Sequence, residues 1–380
     1  MSLNVTELLL FLLGTIVPSL LISLISIYVV RKYAPRWGLV DHPNERKVHV
    51  RPTPLGGGLG IWAGVIVPFL IGTALVFACR SSASLLEMFP AVVVENLDGV
   101  TSKLDSLWVL LGAGTILMVI GLWDDRWGIG WKPRLLFQFG IAAGCVIWQG
   151  WQLTAFINVP LLPSLLSVIW IVAMINSFNM LDNMDGLSGG VAAIAALMLG
   201  GVMMISSEPG SNVPQLFVGG LLFVVAGALL GFLFHNRPPA KIFMGDAGSY
   251  FVGFCIAVAT LLATYTGYQS PAKHGILAPV FVMAVPMYDM LTVLAIRIRE
   301  GRSPFQADKS HLSHRLVELG FTKAQAVLTI YLLTATCGLG ALLLHRVDII
   351  GAFIITIMVL CVLALIALLE TTARRKIRSR

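Results

Sequence analysis

The sequence predicts an all-α polytopic membrane protein of about eleven transmembrane helices, N-terminus outside and C-terminus cytoplasmic, and three observations predict it. The first is composition: 57% of the 380 residues are hydrophobic and 12% are charged, where soluble domains carry about a quarter charged residues. The second is that apolar stretches near the ~20 residues needed to cross a hydrocarbon core recur along the whole chain. The third is that Lys and Arg crowd into alternate connections.

Taken in order, the apolar segments are 7–30, 57–79, 106–123, 134–150, 161–178, 187–206, 215–234, 248–267, 275–296, 325–344 and 348–369. The first lacks a basic leader and is too long for a cleaved signal peptide, so it reads as a retained helix. The connections after the odd-numbered spans, with the tail at 370–380, hold 22 of the 26 Lys and Arg; Arg80, Lys103, Lys273 and Arg346 fall on the other side. Basic loops stay inside, which fixes the orientation. The chain reads as a single integral-membrane domain over 1–380 with a basic cytoplasmic tail. Its net charge of +7 then reflects topology and attraction to membrane lipid head groups and phosphates, and nothing suggests nucleic-acid binding. The five cysteines lie in or at the ends of spans without metal or disulfide spacing, as packing residues do.

The central stretch is NSFNMLDNMDG, Asn176 to Gly186, placed where one apolar segment gives way to the next. Ionisable groups at such a position are expensive to desolvate and mark a functional site. If the stretch is helical, Asn179, Asp182 and Asp185 at three-residue steps share one face, and their oxygens could converge on one ligand. Upstream, the loop 41–58 clusters Arg46, Lys47, His49 and Arg51 beside a glycine run. Its plainer reading is a positive-inside anchor; its functional reading is a phosphate-facing loop whose glycines let backbone approach a ligand.

The third span ends in adjacent Asp124 and Asp125, which repel unless a cation shares them. Lys132 and Arg134 nearby could hold a phosphate. Between the seventh and eighth spans, Asp246 sits between glycines at a helix start, either as a site residue or as an N-cap. Asp289, after Pro286 in the ninth span, is a catalytic candidate or an internal hydrogen-bond partner at a kink. The last inner loop carries Lys309, His311, His314 and Arg315, too few soft ligands for zinc and better suited to phosphate. All of these clusters fall on one predicted face. Carboxylates with asparagine suit a hard, oxygen-ligated cation such as Mg²⁺, and basic loops around it suit a polyanion, which together describe phosphoryl transfer.

Five motifs in order carry a resemblance over roughly residues 8 to 370: DHPNERKVHVRPTPLGGG (41–58), DD (124–125), NSFNMLDNMDGL (176–187), FMGDAGS (243–249) and DKSHLSHRL (308–316). The set resembles the polyprenyl-phosphate N-acetylhexosamine-1-phosphate transferases, cousins of phospho-MurNAc-pentapeptide translocase that initiate bacterial cell-envelope polysaccharides such as O-antigen. The resemblance implies a bacterial inner-membrane enzyme with a cytoplasmic site, moving N-acetylhexosamine-1-phosphate (GlcNAc first among the choices) from a UDP-N-acetylhexosamine to undecaprenyl phosphate with release of UMP. It further implies that Asp246 and Asn179 ligate Mg²⁺, with Mn²⁺ as a substitute. Asp124 and Asp125 would orient or deprotonate the lipid phosphate, and Asp182 and Asp185 would bind the nucleotide sugar. Arg46, Lys47, His49, Lys132, Arg134, Asn176, His311, His314 and Arg315 would contact substrate. A homodimer is compatible with the sequence.

One departure stands out. The family's last loop often reads HxHHR, whereas this chain has Ser313 at the middle histidine, whose hydroxyl can still bond an acetamido or phosphate oxygen but carries no charge. Sugar preference is the property this touches. Two other readings compete: the pentapeptide translocase, for which HHxE would be expected in place of His314-Arg315-Leu316, and a transporter, which would place its charges near the bilayer midplane.

Overall fold

A computed structural model describes residues 4–43, 51–87, 94, 96–153, 159, 161–205, 215–269, 273–306 and 308–378. It is helical almost throughout. The long helices are α1 (Val5–Tyr33), α2 (Gly57–Ser81), α3 (Leu97–Trp127), α4 (Trp131–Gln149), α5 (Leu162–Leu181), α6 (Leu187–Ile205), α7 (Leu216–Asn236) and α8 (Gly245–Gln269). After them come α9 (Ala278–Val282), α10 (Ala284–Arg299), α11 (Leu312–Glu318), α12 (Lys323–Leu343) and α13 (Ile349–Arg378). The short strands β1 (Val40–Asp41) and β2 (Thr53–Pro54) pair antiparallel at the base of the first long loop.

Every apolar segment of the sequence becomes helix, but the count of eleven spans is not reproduced. Among the described residues nine single helices are long and apolar enough to cross a membrane, and ten if a bent pair counts as one span. The shortfall is α4, whose first two turns carry Lys132, Arg134 and Gln138 and so interrupt the apolar run. The bent pair is the predicted ninth span: its two limbs, the second of them α10, meet at 63° around Met283. All five cysteines are free, four of them buried.

The bundle is built around α8, which packs against α2, α3, α5, α6 and α7. Over Gly245–Ala263 nearly every residue of this helix is buried, so that stretch meets protein on all sides. Where lipid offers no hydrophobic drive, helices associate through small residues and buried polar bonds. Ser19 and Ser23 of α1 accordingly donate to the carbonyls of Val224 and Ala228 on α7 at 2.5 and 2.7 Å.

The glycine run of the first loop has a packing role. Gly57 and Gly58 donate backbone N–H groups to Phe243 and Met244 at 2.9 and 3.0 Å, and Phe243 donates to Pro54 at 2.9 Å. A Cβ on Gly58 would lie 2.2 Å from the Gly248 nitrogen. These glycines let the start of α2 meet the start of α8, rather than leaving backbone open for a ligand.

Candidate active site

The site forms where α3 ends, α8 begins and α5 breaks. The first N–H groups of a helix lack intrahelical partners and favour negative charge. At α8 they are taken by Asp125, whose Oδ1 accepts from the Asp246 N–H at 2.8 Å and Oδ2 from the Ala247 N–H at 3.2 Å. The N-cap role considered for Asp246 therefore belongs to Asp125. Gly245 makes the fit by adopting φ +72°, and a Cβ there would stand 2.5 Å from Asp125 Oδ2.

Asp124, 8% exposed, is held by several donors. Its Oδ1 accepts the Ile129 N–H at 2.6 Å, and its Oδ2 accepts the Tyr250 hydroxyl at 3.0 Å and Arg134 Nη1 at 3.3 Å. The same Arg134 nitrogen is 3.8 Å from Asp246 Oδ2. Arg134 thus bridges two of the predicted carboxylates.

From α5, Asn179 Nδ2 donates to Asp246 Oδ1 at 2.5 Å and to Ser249 Oγ at 3.0 Å, so the predicted metal pair is adjacent. The stretch after Leu181 is not helical. Asp182 caps α5, donating its N–H to Asn179 O at 3.2 Å, and its carboxylate accepts the Gly245 N–H. Enclosure by protein and then the charge of Asp246 push the Asp182 carboxyl up to about 7, against the lowering effect of that N–H.

Asp185 parts from the others because the chain turns. It accepts the Ala240 N–H at 2.9 Å and lines a cavity of about 520 Å³ with Arg51, Met184, Phe243 and Lys323. The expectation that Asn179, Asp182 and Asp185 converge on one ligand is corrected to this division. Gly186 fixes the turn, its N–H donating to Asn236 Oδ1 at 2.8 Å and its carbonyl accepting from the Tyr331 hydroxyl at 2.5 Å.

The last loop docks on the same turn. Ser313, 1% exposed, donates its hydroxyl to Asn183 Oδ1 at 2.6 Å, so the serine that stands out in the sequence binds the protein itself. His311 and His314 sit side by side, ring centroids 6.4 Å apart. Burial, reinforced by the neighbouring His311 and Lys309, pulls His314 down to about 4.

Arg315 is 3% exposed and turned away from the carboxylates. Its Nε lies 3.1 Å from Glu370 of α13, and its two Nη atoms donate to Ser310 O and Thr292 Oγ1 at 2.6 and 3.1 Å. Its predicted substrate contact is replaced by a buried ion pair. Asn176 likewise spends its amide on Gln138 Oε1 at 2.6 Å and Val172 O at 2.8 Å. Lys132 is exposed, with its ammonium 5.6 Å from the Trp131 ring centroid. Arg46, Lys47 and His49 lie outside the described residues.

Sequence reasoning missed Tyr250, Asn236, Tyr331, Gln138 and Glu370. Gln138 was detectable as a polar residue inside the otherwise apolar segment 134–150, a costly placement that asks for a partner, whereas Glu370 stands at the head of the predicted polar tail. The tyrosines and Asn236 carry no such signal.

A multi-pass helical membrane protein with a carboxylate-rich site at the helix ends defines a class, and residues 107–264 match the family model described as glycosyl transferase family 4. The chain is 33% identical over 331 residues to the decaprenyl-phosphate N-acetylglucosaminephosphotransferase of Mycolicibacterium smegmatis, covering 82% of this chain and 77% of that protein. It is 30% identical over 346 residues, 90% of this chain and 87% of the relative, to the probable undecaprenyl-phosphate N-acetylglucosaminyl 1-phosphate transferase of Bacillus subtilis. The Escherichia coli K12 undecaprenyl-phosphate alpha-N-acetylglucosaminyl 1-phosphate transferase is 26% identical, with 83% of this chain and 79% of that protein aligned. The chain belongs to the polyprenyl-phosphate N-acetylglucosamine-1-phosphate transferase family and is an enzyme of that type.

Proposed function

We propose that the enzyme, in the bacterial inner membrane with its site facing the cytoplasm, transfers GlcNAc-1-phosphate from UDP-GlcNAc to undecaprenyl phosphate and releases UMP, the first step of a cell-envelope polysaccharide. The observation that carries the reading is the meeting of Asp124, Asp125, Asp182 and Asp246 around the start of α8, with Arg134 bridging two of them. So many carboxylates around one guanidinium call for a further cation.

The donor set fits Mg²⁺, or Mn²⁺ in its place. Asp246 and Asn179 offer hard oxygens, the latter by turning its amide, and Mg²⁺ typically takes one or two protein carboxylates and completes its shell with water and substrate phosphates. Among the described residues no three His, Cys, Asp or Glu side chains form a ready metal cage, which such a shared shell does not require. When bound, the ion would supply neutralising charge to the phosphates.

The residues do the rest by placement. Asp125 holds the α8 start rigid, and Asp124, itself held by the Tyr250 hydroxyl, keeps Arg134 where a lipid phosphate could displace its carboxylate partners. A lipid oxygen bonds to the sugar-linked phosphorus while the bond from that phosphorus to the bridging oxygen breaks, and UMP leaves with the electron pair. A phosphate monoester loses its second proton near pH 6, so neither Asp124 nor Asp125 need act as a base: Asp124 orients the attacking group through Arg134, and Asp125 keeps the helix end in place. Asp185, Arg51 and Lys323 line the cavity offered to the nucleotide sugar.

The test is UMP release by detergent-purified protein with Mg²⁺, undecaprenyl phosphate and, separately, UDP-GlcNAc, UDP-GalNAc or UDP-MurNAc-pentapeptide. Release that needs lipid and metal and favours UDP-GlcNAc is expected. Release only with the pentapeptide would assign the chain to peptidoglycan synthesis, and release without lipid would replace direct attack by a covalent enzyme intermediate.

A further inference from the structure

Asp289 lies three residues beyond Pro286 in α10, the second limb of the broken span, and is 1% exposed. Both of its oxygens serve the start of α11: Oδ2 is 2.9 Å from His311 Nδ1, and Oδ1 accepts the Leu312 N–H at 2.6 Å. A carboxylate can only accept, so His311 carries a proton on Nδ1 and its Nε2 is the nitrogen left for other work. His311, 6% exposed, cannot rotate its ring without giving up this bond.

Asp289 is itself fixed from two directions. Ser177 of α5 donates to the Pro286 carbonyl at 2.8 Å, tying the break in the span to the helix that carries Asn179. Thr292 bonds back to the Asp289 carbonyl at 3.0 Å and receives Arg315 Nη2 at 3.1 Å. Two residues beyond His311, Ser313 is locked to Asn183 in the Asp182–Asp185 turn. The α10 segment is thus a rigid link between the carboxylate turn and the histidine loop.

We infer that Asp289 is a positioning residue that sets the tautomer and orientation of His311, so that an unprotonated Nε2 accepts a hydrogen bond from a hydroxyl or N–H of the sugar-phosphate donor. The inference rests on the proposed function only in giving that partner to Nε2. That Nδ1 carries a proton follows from Asp289 alone.

The geometry also dictates what Asp289→Asn would do. The Leu312 N–H demands an oxygen, so the new amide must place its NH₂ toward His311 Nδ1. That nitrogen then accepts, and the proton moves to Nε2. The ring stays in place with its polarity reversed.

The experiment uses full-length protein labelled with ¹⁵N-histidine at pH 8, with the His311 signal assigned by its loss in His311→Ala. Wild type is expected to show an Nδ1-protonated neutral ring, and Asp289→Asn an Nε2-protonated one. In steady state Asp289→Asn should lower kcat about 10- to 100-fold, by analogy with carboxylates that orient metal-ligating histidines. The KM for lipid should stay within twofold, and adding Asp289→Asn to His311→Ala should cost less than a further twofold. An Nε2-protonated His311 in wild type, or multiplicative losses in the double variant, would overturn the inference. If wild type turns over no UDP-GlcNAc, the proposed function fails while the tautomer still decides the role of Asp289. If Asp289→Asn does not fold, the wild-type spectrum alone decides it.

Discussion

The Asp125 carboxylate and the Asp246 backbone N–H meet at 2.8 Å, which means that one predicted site residue builds the helix end on which another is mounted. Asp246 is then aimed by a rigid frame: Asn179 at 2.5 Å on one oxygen, Arg134 at 3.8 Å on the other. A carboxylate so held loses little freedom when it takes up a ligand, which is what preorganised charge stabilisation requires.

Replacing Asp125 by Asn removes the charge opposite the α8 dipole and leaves a single acceptor for two N–H groups. A charge at a helix N-terminus contributes about 0.3–1 kcal/mol, so the protein should remain folded with a small fall in Tm. Turnover of UDP-GlcNAc should fall about 100-fold, because the Asp246 frame loosens. Unchanged turnover in a folded variant would show that the cap does not support the site.

Asp246→Asn tests the metal assignment. By weakening cation ligation it should cut UMP release at least about 100-fold while membrane insertion and Tm are retained, and EDTA should silence the wild type. Near-normal turnover of the variant at ordinary Mg²⁺ would sink the role given to Asp246.

The sequence exposed those features whose cost in a membrane is visible in one dimension. Eleven apolar segments became helices, and the carboxylates Asp124, Asp125, Asp182 and Asp246 converge as their shared predicted face suggested. What it could not show is which groups the fold consumes. Arg315 and Asn176 look like ligand contacts in sequence, and only packing reveals that Glu370, 55 positions downstream, and Gln138, 38 upstream, take them up. The turn at 182–186 was equally hidden, since helical spacing of Asn179, Asp182 and Asp185 holds only if the helix continues.

Arg315 and Glu370 give a prediction opposite to a substrate contact. Removing one member of a buried ion pair leaves the other charge uncompensated, at about 3–5 kcal/mol, whereas replacing both by apolar residues is often nearly neutral. Arg315→Met should therefore lower Tm sharply, and Arg315→Met with Glu370→Leu should recover most of the loss. A raised KM for the donor with unchanged Tm in Arg315→Met would restore the ligand role.

Ser313→Ala deletes one buried hydrogen bond and should cost about 0.5–1.5 kcal/mol. Ser313→His, the residue common in the family at this position, must fit a ring into a site that is 1% exposed, and overpacking costs about 1–3 kcal/mol. Both variants should lose thermal stability and keep the wild-type ranking of UDP-sugar donors. A changed ranking would mean that Ser313 reads the sugar after all.

His314 makes stability depend on pH in a definite direction. Its folded-state value, pulled to about 4 by burial and by His311 and Lys309 against the opposing charges of Asp289 and Asp308, lies below the ordinary ~6.5. The unfolded chain therefore binds a proton that the folded chain refuses, and the resulting stability is present above about pH 6.5 and lost as pH falls toward 4. Thermal melts between pH 7.5 and 4.5 should show a declining Tm in wild type and a shallower decline in His314→Gln. Equal slopes in the two proteins would place the acid sensitivity elsewhere.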